Sequence, residues 1–475
     1  VTQKKPEDDL RAVVAGDLAW VPRIAKGAGP VYLAIADALA EDILSGRLCP
    51  GMRLPPQRTL ADALDIDFTT VTRAYTEARK RGLVEGKVGQ GTYVRPRAAV
   101  SPSLARGGAI DMSMNLPPRF DDRQLAAQMW SDIASLEHAE GIDLLLRYQE
   151  PGGTRRDQNA GALWLAHKLG EVALDRIVVT PGARGALLTL LAALAEPGDA
   201  VCTEALTFPG VLSALAHLRL RAIGVAIDRL GIIPDAFEAA CRTHRPKLLY
   251  CNPTLHNPTT ATMPLERREA VIRIARAHGV AIIEDDAYGM LPPRPVPPLA
   301  RLAPDLVYHV AGLAKCLAPA LRIAYLVLPE TRPPQHLAGG IRAAASLASP
   351  LTAAVATRWI ETGTAGAVLE AIRHEAEIRR VLARDTLPRE GAHIPPDGFH
   401  VWLELPPAWP RSEFVARLRT VGIGAVPSDA FAVSAWPEAV RLGLGVPATA
   451  RELSLGLQTV AALLDETPAL SSIVV

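Results

Sequence analysis

KLLYC at 247–251, VAIIE at 280–284, DLVYHVAGL at 305–313 and RIAYLVLP at 322–329 are short apolar runs that share one stretch of chain. Each is rich in Leu, Val, Ile or Tyr. A segment of helical character, Leu265 to His278, separates the first two. Strands alternating with helices predict parallel pairing in a sheet covered on both faces. Polar residues follow the runs. Asn252 and Asn257 come after the first, Asp285, Asp286 and Tyr288 after the second, and Lys315 after the third, while Arg322 opens the fourth. Ligands of open α/β sheets sit at the carboxyl ends of the strands. An amide, a carboxylate, a phenol and an amine are therefore delivered to one crevice. Asp286 also reads as a helix N-cap.

One ligand class fits that set. Pyridoxal 5'-phosphate needs a lysine for a Schiff base, an acid facing its pyridine nitrogen, donors for its ring oxygen and a cation for its phosphate. HNPTT, EDDAYG and AKCLAPALR resemble the signature of fold-type I aminotransferases. They look most like the aminotransferase-like half of the MocR group of bacterial regulators. The resemblance implies that Lys315 carries the cofactor as an aldimine and that Asp285 meets the pyridine nitrogen. It implies Tyr288 and Asn257 at the ring oxygen and Arg322 at the phosphate. Gly312 and Ala314 depart from the pattern, since relatives often carry hydroxyl residues there.

Upstream, RIVVT at 176–180 reads as a strand, and PGARGALLTLLAAL leads into a helix. Backbone N–H groups at a helix start bind phosphate, which makes Gly182, Ala183 and Arg184 candidates for a phosphate cradle. By resemblance Phe208, in AVCTEALTFPG, stacks on the pyridine face; a plain core Phe is the competing reading. Also by resemblance, Tyr148 of RYQEPGG reaches the phosphate in a partner subunit, against the alternative of a turn tyrosine packing locally. Gln158 stands where the family usually has an Arg. Downstream, 332–362 and 365–385 read as helical stretches. FHVWLEL at 399–405 and AVRLGLGV at 439–446 read as antiparallel strands. Arg441 in the second is assigned, again by resemblance, to a substrate carboxylate in fork geometry.

The N-terminal part has a different character. Tyr32 to Leu44 has helical periodicity, Gln57 to Leu64 forms a second helix, and Asp67 caps a third from Thr69 to Lys80. VEGKVGQGTYV reads as two strands with a glycine-rich tip. Three helices and a hairpin make a winged helix-turn-helix. GMRLPPQRTLADAL, TTVTRAY and RGLVEGKVGQGTYV resemble the GntR family. That resemblance implies that the third helix enters the major groove of double-stranded DNA. The candidate contacts are Arg58, Thr69, Thr70, Thr72, Arg73 and a wing at Lys87, Gly89 and Gly91. Asp67-Phe68-Thr69 replaces the Ser-Arg-Asn of many members, which removes an Arg contact. Arg79 to Arg81 is either basic DNA-facing surface or a solvated helix end.

The expected fold is α/β: a fold-type I aminotransferase-like large domain plus a small α+β lobe, preceded by a winged helix-turn-helix. The expected division is an arm at 1–29, the DNA-binding unit at 30–97, a linker at 98–108 and the aminotransferase-like domain at 109–475. Within the last, the large lobe covers about 125–330 and the small lobe about 331–475. The chain has 475 residues, 49% hydrophobic, with a formal net charge of +1. Any nucleic-acid surface must therefore be local rather than global. Cys49, Cys202, Cys241, Cys251 and Cys316 are scattered, which fits a reducing cytoplasm and no disulfide framework. No run has the length of a membrane span. The expectation is a DNA-binding regulator that senses an amino acid, an amine or pyridoxal phosphate itself, acting as a homodimer. The alternative is a working aminotransferase with an accessory DNA-binding module.

Overall fold

The computed structural model describes residues 20–22, 30–44, 47–48, 51–81, 83–87, 91–94, 110–136, 141, 145–149, 151–331 and 347–466. The linker at 98–108, the wing tip at 88–90 and the tail from 467 lie outside them, as does all of the 1–29 arm except 20–22. The chain divides into two compact units, Val1–Leu104 and Ala105–Val475.

In the first unit, helices Val31–Leu44, Gln57–Leu64 and Phe68–Lys80 precede a hairpin of Val84–Lys87 and Gly91–Val94. The third helix starts where it does because the Asp67 carboxylate accepts from Thr69 N at 2.8 Å, filling one of the orphan donors of the first turn. Ile35, Leu39, Leu60, Val71, Ala74 and Val84 form the core. Trp20 joins it and donates from Nε1 to Asp42 Oδ2 at 2.7 Å, so part of the expected arm belongs to this unit.

The second unit is built on a seven-stranded sheet in the order Ile177–Thr180, Ala324–Val327, Val307–Gly312, Ala281–Asp285, Leu248–Cys251, Ala200–Glu204, Arg221–Val225. Alternate residues along each strand enter different cores. Ile177, Val179 and Tyr325 pack on one face, and Val178, Leu326, Val310 and Ile283 on the other. Burial on both faces is why these strands read as unbroken apolar runs.

One expectation needs correction. Ala324–Val327 runs antiparallel to both of its neighbours, whereas the other pairings described in this sheet are parallel. Between Gly312 and Ala324 the chain has only a turn and a short 3-10 segment, Pro319–Leu321. A parallel return needs a crossover of a dozen or more residues, usually a helix, and none is present there.

The small lobe carries a four-stranded antiparallel sheet in which His400–Glu404 pairs with Ala439–Gly443. Helices Pro350–Glu361, Thr364–Thr386, Arg411–Thr420 and Ala450–Asp465 belong to the same stretch of chain, and Arg411–Thr420 packs on this sheet. The expected helical run 332–362 is described only from 347, and its helix begins at Pro350. Gly161, inside helix Arg155–Leu169, lies against the Tyr325 ring, where a Cβ would come within 2.6 Å. No helix among the described residues is long and apolar enough to cross a membrane.

Candidate functional site

Strand ends place the site. Asp285 closes strand Ala281–Asp285, and Lys315 lies three residues past Val307–Gly312. Asp285 is buried, and its Oδ2 accepts the Tyr250 hydroxyl at 2.8 Å. Its Oδ1 is buried without a partner. Burial, with the charge of Asp286 adding to it, pushes the Asp285 carboxyl up to about 6, against the lowering effects of the Tyr250 hydroxyl, the Ala287 backbone N–H and the charge of Lys315. Burial, reinforced by the charges of Arg441 and Arg184, pulls the Lys315 amine down to about 8 against the pull of Asp285. Lys315 Nζ donates to the Asn115 carbonyl and lies 6.0 Å from the Tyr288 ring centre. The Tyr288 hydroxyl accepts from Asn115 Nδ2 at 2.9 Å.

A second group fixes the loop after Leu248–Cys251. Asn252 donates from Nδ2 to the Asp285 carbonyl at 2.6 Å and accepts from Asn257 N at 2.9 Å. Asn252 N is held by Glu204 Oε1 at 2.6 Å. Asn257 Oδ1 then accepts from Arg441 NH1 at 2.9 Å, and Arg441 NH2 donates to the Ser113 carbonyl. Arg441 is buried, its Nε is unpartnered, and burial lowers its guanidinium to about 10.

The cradle region is compact. Gly182 opens helix Gly182–Leu194 at φ +75°, where a Cβ would lie 3.6 Å from the Arg322 backbone. Ala183 follows it against Gly312, where an added Cβ would meet Ala183 Cβ at 3.3 Å. That contact gives Gly312 a steric reason to lack the hydroxyl side chain. The Arg184 guanidinium sits 5.4 Å from the Phe208 ring centre. The Arg322 side chain is exposed on a residue with φ 54°.

The structure thus gathers Lys315, Asp285, Tyr288, Asn257 and Arg441 through shared contacts, and sets Gly182, Ala183 and Arg184 beside Arg322 and Phe208. It does not bring Tyr148 to them: that side chain is 94% exposed on this chain. Asp286 is no helix cap. It is buried and paired with Lys168. Sequence reading missed Tyr250, Asn115, Ser113 and Glu204. Tyr250 had a signal, a phenol inside a strand two residues before an Asn that marks the site.

In the first unit, Thr69, Thr70, Thr72 and Arg73 lie on helix Phe68–Lys80 and Arg58 on the helix before it. Arg58 is exposed, 5.8 Å over the Phe68 ring centre. Arg73 lies back over Tyr32 at 4.3 Å. Thr72 Oγ1 donates to Gln57 Oε1 at 2.8 Å, tying the two helices together. Arg81 pairs with Glu77 and Asp37, so this end of the basic run is neutralised within the fold. Gly91, at φ +114°, packs against Arg53. Gly89 and the side chain of Lys87 lie outside the described residues.

Two family profiles match. Aminotransferase class I and II covers residues 120–454, and the gntR family of bacterial regulatory proteins covers 31–94. YdeF of Bacillus subtilis (strain 168), an uncharacterized HTH-type transcriptional regulator, is 30% identical over 94% of this chain and 97% of its own. The probable rhizopine catabolism regulatory protein MocR of Rhizobium meliloti is 28% identical over 63% of this chain and 66% of its own. Among solved structures, the α-aminoadipate aminotransferase LysN of Thermus thermophilus, complexed with N-(5'-phosphopyridoxyl)-L-leucine, superposes with a TM-score of 0.68. It is 22% identical, over 78% of this chain and 94% of its own, a likeness of fold. An aminotransferase class I and II match behind a gntR match, with an HTH-type transcriptional regulator 30% identical over 94% of the chain, leads to one assignment: the chain belongs to the MocR-type transcriptional regulators, in which a GntR domain precedes an aminotransferase class I and II domain.

Proposed function

We propose that this regulator holds pyridoxal phosphate on Lys315 and changes its grip on DNA when an amino-bearing small molecule enters the same site. The observation that carries this is the delivery to one site, from neighbouring strand ends, of a half-buried amine, Lys315, whose Nζ is held by the Asn115 carbonyl, and a buried carboxylate, Asp285, whose Oδ1 has no hydrogen-bond partner. A protonated pyridine nitrogen is the donor that Oδ1 lacks. The helix start at Gly182 supplies backbone N–H groups for a phosphate, and Arg184 and Arg322 supply cations. The residues therefore fit the group.

When bound, pyridoxal phosphate supplies an aldehyde that condenses with primary amines and a ring that withdraws electrons. The rest falls to the chain. Asp285 holds a proton on the ring nitrogen. Tyr288, oriented by Asn115, donates to the ring oxygen beside Asn257. Arg441, oriented by Asn257, grips a carboxylate on the effector in fork geometry. Phe208 covers the ring face. Tyr148, which meets none of these groups within its own chain, serves the phosphate in a second copy, so the working form is a homodimer.

Arg58, Thr69, Thr70, Thr72 and Arg73 form the DNA face, with Arg58 on a phosphate. Arg58→Ala then lowers affinity alike on any duplex and flattens the slope of log K against log salt by about 1, read by fluorescence anisotropy. An unchanged slope removes Arg58 from the phosphate contacts.

The test of the cofactor reading is a visible spectrum of the full chain with added pyridoxal phosphate. A new absorption band should form in the wild type and be lost in Lys315→Ala. Its rate of appearance should rise about tenfold per pH unit up to about 8 and then level, because only the unprotonated amine reacts. A band that survives Lys315→Ala overturns the assignment. The amine, acid, phenol and carboxylate-binding Arg are all present, which also favours residual transamination. Conversion of the bound cofactor by an amino acid, without change in DNA affinity, would support that second reading instead.

A further inference from the structure

Residues 110–117 run as a strap through the aminotransferase unit, paired as a strand at Ile110–Asp111 and bent at Ser113 and Met114, with carbonyls that alternate between its two edges. Met112 O accepts from Gly443 N at 2.7 Å. Met114 O lies where a Cβ on Gly443 would be, and Leu116 O where one on Gly445 would be, so only glycine fits either place. Ile110 N and Met112 N donate to Gly422 O and Gly424 O at 2.8 and 3.0 Å. That edge is fastened to the small lobe. The other edge faces the site: Ser113 O accepts from Arg441, and Asn115 O accepts from Lys315. The Asn115 side chain is buried, donates to Tyr288, and keeps its Oδ1 unpartnered.

We infer that this strap reads the occupancy of the site and passes it to the chain that leads from the DNA-binding unit. The inference rests on the assignment of Lys315 and Arg441 to cofactor and effector carboxylate. The two cations that those ligands would engage are the two that the strap holds. Lys315 Nζ, once bonded to the cofactor, no longer donates to Asn115 O as a free amine does. A carboxylate on Arg441 competes with the neutral Ser113 carbonyl and is the stronger acceptor. Cofactor uptake on Lys315 therefore frees the Asn115 carbonyl, and an effector carboxylate on Arg441 frees the Ser113 carbonyl; an effector amine that displaces Lys315 returns a free amine to the Asn115 side. The strap's outer-edge bonds, from Met112 N to Gly424 O and from Gly443 N to Met112 O, keep it on the small lobe but open more often once the inner edge is free. In sequence, the strap is the first described segment after the wing strand ending at Val94. A shift at Ile110 is thus applied to the chain on the operator side. Asp111, whose Oδ1 accepts from Ser113 N at 2.8 Å and Ser113 Oγ at 2.6 Å, sets the bend at Ser113.

The test is amide hydrogen exchange on the full-length chain, read at Met112, Ser113 and Gly443, with the visible band followed on the same samples. Pyridoxal phosphate alone should speed exchange at these amides by at least about threefold. Without cofactor, Lys315→Ala should already exchange at the faster rate and should not respond. Asp111→Ala, which leaves every site group in place, should take up the cofactor with an unchanged band but exchange fast in both states. No band in the wild type overturns the cofactor reading and this inference with it. A normal band with unchanged exchange at the three amides overturns the strap alone.

Discussion

Lys168→Met should lower the stability of the aminotransferase unit by about 3–5 kcal/mol, the cost of stranding one member of a buried ion pair. Lys168 and Asp286 are each 1% exposed at the side chain and paired to one another. Behind Asp286 lie His309, with Nε2 at 3.5 Å, then Glu284 at 2.8 Å from His309 Nδ1, then Arg268 at 3.7 Å from Glu284. All are buried. Burial alone would raise Glu284, but the His309 hydrogen bond, with the charges of His309 and Arg268, holds its carboxyl down at about 2. Arg268 in turn binds the carbonyls of Met263 and Pro253 at 2.9 and 3.1 Å, so the chain of charges reaches the loop that carries Asn257. Denaturant unfolding of wild type and variant measures the loss. A loss below about 1 kcal/mol would show that the pair is not a buried charge pair in solution.

This network also shows what a sequence can and cannot disclose. Asp285 and Lys315 are legible because strand ends are local features: an apolar run stops, and a polar residue follows. Asp286 shares that position, and local reasoning made it a cap. Its true partner is 118 positions away on a helix whose sequence gives Lys168 no distinguishing mark. Asn115 is hidden for the same reason, since it touches residues 173 and 200 positions downstream. Other misses were avoidable. The antiparallel strand at 324–327 follows from a connection too short for a crossover. The glycines of AVRLGLGV, at the last residue of strand Ala439–Gly443 and just past it, mark a place where another backbone comes close, and that backbone is the strap. In the first unit nearly every element was readable, because Asp67, the Gly-rich tip and the helical periodicities act within a few residues of themselves.

Asp285→Ala should move two properties in opposite directions. For the protein without cofactor, a carboxyl held up at about 6, against about 3.9 in an unfolded chain, binds a proton in the folded state that the unfolded chain has released. The favourable term is complete below about pH 4 and is lost as pH rises through about 6, so at pH 7 the buried anion costs roughly 3 kcal/mol. Removing it also deletes the Tyr250 hydrogen bond, worth about 1 kcal/mol. The cofactor-free variant should therefore be more stable than wild type by about 1–2 kcal/mol at pH 7 and no more stable at pH 4. For the loaded protein the sign reverses. The variant leaves the ring nitrogen without its anion, and truncating one partner of a buried charged hydrogen bond costs about 2–5 kcal/mol. Affinity for pyridoxal phosphate should fall by about 30- to 5,000-fold. An analogue with CH in place of the ring nitrogen closes a double-mutant cycle. It should bind wild type and variant nearly alike, because neither pairing has both halves of the contact. Absorbance titrations give the affinities and thermal unfolding the stabilities. If Asp285→Ala binds pyridoxal phosphate within about twofold of wild type, the unpartnered Oδ1 does not face the ring and the site must be rebuilt around another acid.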